Sequence, residues 1–84
     1  MMNAAQCRAA RSLLNWTQPQ LAEAAGVGLS TVVDFEKERR AVSSDAMGKL
    51  ATALEAAGVA LIAEGSTSTG GGPGVRLRDR GEEV

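Results

Sequence analysis

Lys37, Arg39 and Arg40 form the one dense basic cluster in the sequence, and side chains of this kind donate to phosphate oxygens. Thr17 and Gln18 add neutral donors upstream, where a helix start would contribute free amides and the positive end of its dipole. Thr31 offers one more hydroxyl. Between these donors lie Leu29, Ser30, Val33 and Asp34. Ser30 can donate or accept, Asp34 can only accept, and Leu29 offers apolar surface alone. Other chemistries have little to work with. There is no histidine and a single cysteine, Cys7, so neither a multi-cysteine metal site nor a disulfide within the chain can be built. The glycine run at 70–74 lies in a linker and precedes a strand-like segment, the wrong setting for a phosphate loop. No enzyme, cofactor, metal or small-molecule ligand is expected.

Donors and acceptors are useful only if elements hold them in place. Asn3 with Gln6, and Thr17 with Gln20, have capping-box spacing. They predict helices over about 4–14 and 18–25, with Pro19 tolerated in a first turn. Gly26 suits a left-handed cap. A third helix is expected over 29–37, with Val32 and Phe35 inward. A fourth is expected over about 45–57, capped by Ser43 or Ser44 and ended by Gly58, with Met47, Leu50, Ala51 and Leu54 as its apolar stripe. Cys7, Ala10 and Leu14 give the first helix its inner face. Trp16 reads as a cover on the core, and Cys7 as a small buried apolar residue.

Beyond Gly58 the composition changes. VALIAE (59–64) is β-prone at its start and VRLRD (75–79) alternates in period two, with a Gly-rich loop at 65–74 between them. A disordered tail, a hairpin, and strands pairing between subunits all fit this composition. The division expected is 1–58, a strand-forming extension at 59–80, and a frayed tail at 81–84. The net charge is −1, which lends no support to a polyanionic partner, although a local patch can still steer one. With no signal-like N-terminus and no apolar run of spanning length, a soluble cytoplasmic protein is expected.

The segment 18–37, QPQLAEAAGVGLSTVVDFEK, meets the steric demands of a helix-turn-helix. Two helices crossing steeply over a short turn need a small residue midway along the first, here Ala22. The turn needs positive φ, supplied by Gly26, and then an apolar plug, Val27. Leu21, Ala25, Val32 and Phe35 complete the inner faces. The same core would also serve a helical bundle that never meets DNA.

The sequence resembles the phage-repressor and Cro-like helix-turn-helix regulators, the XRE family. The resemblance is carried by CRAAR (7–11), WTQPQLAEAAGV (16–27), STVVDFEKERR (30–40) and MGKLATALEAAGV (47–59). It implies an all-α, lambda-repressor-like bundle of four or five helices that binds double-stranded DNA as a homodimer, commonly to repress transcription. The continuation past Gly58 resembles short members with a strand-forming extension. By this resemblance Arg11 pairs with Glu36, and the cluster at Lys37, Arg39 and Arg40 falls where such proteins meet the DNA backbone. Members often carry Ser, Thr or Asn where Gly28 stands, and Gln or Arg at Leu29 and Ser30, so direct reading of bases is expected to be sparse.

With the third helix in a major groove, Leu29, Ser30, Val33 and Asp34 would face base edges. Thr17, Gln18, Thr31, Lys37, Arg39 and Arg40 would hold the backbone. Arg8 reads either as a phosphate contact or as a surface charge. A homodimer on a palindromic operator follows from the few base pairs that one domain can read, with 59–64 and 75–79 as candidate contacts between subunits. The rival reading is a protein-interaction module, such as an antitoxin or adaptor, favoured by the near-neutral charge, Leu29 and Asp34.

Overall fold

Three of the four helices begin where a side chain takes over a free first-turn amide. In the computed structural model, which describes residues 2–63 and 72–78, α1 (Ala4–Leu14) and α2 (Gln18–Ala25) both start with complete capping boxes. Asn3 Oδ1 accepts from the Gln6 amide at 2.7 Å, and Gln6 Oε1 from the Asn3 amide at 2.9 Å. Thr17 and Gln20 repeat the exchange at 3.2 and 2.7 Å. Ser43 is the residue that caps α4 (Ser44–Ala56), accepting from the Ala46 amide at 3.1 Å, so this helix lies one residue earlier than the sequence suggests. The exception is α3 (Leu29–Lys37), whose cap residue Gly28 has no side chain to offer.

The first three helices close alike. Asn15, Gly26 and Glu38 each take left-handed backbone, with φ of 57°, 72° and 56°. The next amide then reaches back to a carbonyl five residues earlier: Trp16 to Arg11 at 2.9 Å, Val27 to Ala22 at 3.1 Å, and Arg39 to Asp34 at 3.0 Å. This 6→1 bond satisfies a carbonyl orphaned at the helix end and reverses the chain sharply. Gly26 adopts it at no steric cost. Glu38 is an unusual occupant.

Leu21, Ala22, Val32, Phe35, Leu50 and Leu54 form the buried centre with Cys7 and Ala10, and Leu14, Trp16, Ala25 and Val27 pack around it. Val59 is fully buried in that same cluster. The segments after Gly58 pair with each other within one chain. Strands β1 (Val59–Ile62) and β2 (Gly74–Leu77) run antiparallel, with Val59 opposite Leu77 and Ile62 opposite Gly74. The fold is therefore mostly helical with a small hairpin at its end. The hairpin packs on α1 and α4, and Gln6 fastens it there. The Gln6 amide nitrogen donates to the Ile62 and Gly74 carbonyls, each at 2.9 Å. Glu64, most of the Gly-rich loop, Asp79 and the expected tail at 81–84 lie outside the described residues. Among the described residues no helix is long and apolar enough to cross a membrane.

Candidate nucleic-acid interface

The site is organised from underneath by one buried carboxylate. Glu36, on the last turn of α3, is 3% exposed and receives donors from both preceding helices. Arg11 of α1 approaches with Nε to Oε2 and Nη2 to Oε1, both at 2.8 Å. Gln18 of α2 donates to Oε1 at 3.0 Å, and the Cys7 thiol to Oε2 at 3.1 Å. Arg11 also reaches the Trp16 carbonyl at 2.9 Å, and Arg8 the Glu36 carbonyl at 2.6 Å. Three helices are thus tied to a single side chain, in the two-pronged geometry that suits guanidinium and carboxylate.

Burial alone would raise the Glu36 pKa, but hydrogen bonds from Arg11, Gln18 and Cys7, with the charge of Arg11, hold it below the ordinary carboxylate range. The hydrogen bond to Glu36 raises Arg11 in turn. Burial, followed by the hydrogen bond and negative charge of Glu36, pushes the Cys7 thiol well above its usual value. Cys7 is therefore buried, as its residue type suggests, yet it also works as a donor, and only the tertiary position of Glu36 reveals this.

Above this base, α3 presents its N-terminal end outward. Leu29 is 46% exposed and Ser30 is also exposed, while Thr31 and Val33 are half-buried. Among the described residues, the Leu29 and Ser30 amides have no partner, as first-turn amides with no carbonyl one turn before them. Thr17 is exposed at the neighbouring start of α2, with its oxygen accepting from Gln20. Gln18 is half-buried and already joined to Glu36. At the other end of α3, Lys37 and Arg39 are exposed and have no acidic partner among the described residues. Asp34 and Arg40 differ from their neighbours. They form an ion pair, Arg40 Nε to Asp34 Oδ2 at 2.8 Å, so neither is the unattached side chain that its place in the sequence suggests.

A family model described as helix-turn-helix matches residues 8–57, a span that contains the Arg11–Glu36 pair and both helices of the motif. The chain belongs to the XRE family of helix-turn-helix proteins. No curated protein matches it significantly. XRE-family domains are DNA-binding regulators, and this is the role that membership supports. In this XRE-family chain, sequence reasoning had no local signal for the Asp34–Arg40 pair or for the second function of Gln6. Both contacts depend on where the chain travels after a helix or capping box has ended.

Proposed function

We propose that the chain is a cytoplasmic, sequence-specific binder of double-stranded DNA that represses transcription as a homodimer on a palindromic operator. The observation that carries this reading is the contrast between the two ends of α3. Its C-terminal turn is locked to α1 and α2 through Glu36, while the Leu29–Ser30 end projects into solvent. A rigid helix with a free N-terminal face is what insertion into a major groove requires. Leu29 and Val33 would meet thymine methyl groups, and Ser30 a base edge. Thr17, Gln18, Thr31, Lys37, Arg39 and Arg40 would hold the phosphates on either side.

Selection of bound sequences from a random duplex pool tests this directly. A palindromic consensus is expected, with half-sites about one helical turn apart. Affinity for the selected duplex should fall steeply with salt, and Arg39→Ala should reduce the slope of log K against log salt by about 0.9. The exposed Leu29 also suits a protein partner on the same fold. Recovery of no preferred duplex, or affinity insensitive to salt, would favour that second reading. For the dimer, Leu77 is 53% exposed on β2, and Leu77→Asp should shift the sedimenting species from dimer to monomer. An unchanged dimer would exclude the hairpin as its interface.

A further inference from the structure

We infer that Asp34 does not read DNA itself but positions Arg40, whose guanidinium is the group presented to the duplex. The inference rests on the DNA-binding reading above and assigns roles within that interface. Backbone and side chain together build the arrangement. Glu38 turns left-handed at φ 56°, and the Arg39 amide closes onto the Asp34 carbonyl at 3.0 Å. That reversal brings Arg40 back across the helix end, where its Nε meets Asp34 Oδ2 at 2.8 Å. Residue 34 thus fixes residue 39 by its main chain and residue 40 by its carboxylate.

The contact engages Nε alone. Among the described residues, both terminal nitrogens of Arg40 are without a partner, and the side chain is 52% exposed, against 22% for Asp34. A guanidinium held at Nε keeps its plane fixed and directs its remaining N–H groups as a fork. A fork of this kind fits two acceptors side by side, either O6 and N7 of a guanine or two oxygens of a phosphate. A bare carboxylate at the same place would repel the duplex. Paired with Arg40, it instead removes rotamer freedom from the residue that binds. Asp34 is thus a positioning residue and Arg40 the contacting one.

The test is a double-mutant cycle on the full chain, with affinity for the selected duplex measured by fluorescence anisotropy and folding of each variant checked by circular dichroism. Asp34→Ala should weaken binding about tenfold, although it removes a negative charge from the interface. Asp34→Asn keeps an acceptor oxygen for Nε and should recover most of that loss. In an Arg40→Ala background, Asp34→Ala should cause no further loss, and Arg40→Lys should recover only part of the Arg40→Ala loss, because it keeps the charge but lacks the fork. Loss confined to duplexes carrying one particular G·C pair identifies a guanine edge. Equal loss on all duplexes, with a shallower salt slope, identifies a phosphate. If Asp34→Ala and Asp34→Asn both tighten binding equally, with or without Arg40, then Asp34 is merely a repelling charge and the inference is overturned. Failure of the unaltered chain to bind any duplex would instead overturn the DNA-binding reading beneath it.

Discussion

Cys7 donates its thiol hydrogen to Glu36 at 3.1 Å, across the buried junction of α1 and α3. A residue that composition ranks as a small hydrophobe thereby belongs to the polar hub under α3. The thiol is inaccessible and its ionisation is opposed by burial and by the neighbouring carboxylate. Thiolate is the reactive form, so a disulfide reagent should label Cys7 only as fast as the domain opens. Labelling followed against denaturant should track unfolding measured by circular dichroism; rapid labelling of the folded protein would contradict the hub.

Removing Arg11 leaves the Glu36 carboxylate buried with its principal partner gone. Arg11→Ala should cost about 3 kcal/mol, since stripping one member from a buried pair strands the other charge. Glu36→Gln removes the charge itself and should cost less. Thermal melts of the two variants give the order directly.

The same pair sets a pH dependence. Glu36 titrates below its ordinary value of 4.5 in the folded state. Its contribution is therefore fully present above that value and is lost as pH falls through the lower folded pKa. The melting temperature of the unaltered chain should drop as pH decreases below about 4.5. The difference between it and Glu36→Gln should shrink over the same window. A difference that stays constant down to strongly acidic pH would show that Glu36 is not held ionised.

Helix boundaries were legible because their signals are local. Asn3 with Gln6, Thr17 with Gln20, and Gly26 each declare a terminus through residue type and short spacing. Ala22, Val27 and Phe35 similarly declare the turn between α2 and α3. What stayed hidden needed long-range information. Gln6 looks finished once it completes a capping box, yet its amide nitrogen also reaches residues 56 and 68 positions away. Asp34 and Arg40 are six apart, which matches no helical spacing; they meet because the chain reverses at Glu38, a residue type that does not advertise a left-handed turn. The segments after Gly58 carried a strand pattern, but period two alone cannot say whether the partner strand lies in the same chain.

Gln6 supplies the sharpest test of the hairpin. Gln6→Ala loses two hydrogen bonds to β-strand carbonyls and half of a capping box, together about 2–3 kcal/mol. Hydrogen exchange should accelerate most at Val59–Ile62 and Gly74–Leu77, and much less in α2 and α3. Uniform acceleration across the chain would mean that the hairpin and helices open as one unit.

Glu38 presents the opposite opportunity. A left-handed conformation is strained for any residue with a Cβ, and Glu38 makes no side-chain hydrogen bond among the described residues. Glu38→Gly should raise stability by about 0.5–1 kcal/mol after allowing for the extra freedom of glycine in the unfolded chain. The melting temperature should rise by roughly 2–8 °C.

Val59 completes the core, and Gln6 joins the first helix to the last strand. Synthesis delivers these partners at opposite times. A ribosome that has released α1 to α4 has exposed the whole helix-turn-helix, yet the apolar floor still lacks Val59, and Gln6 has no strand to hold. Contacts of such long sequence separation form late because the intervening chain must first be closed into a loop. The nascent chain consequently holds α3 through Glu36 before Val59 and the paired strands are there to complete its support.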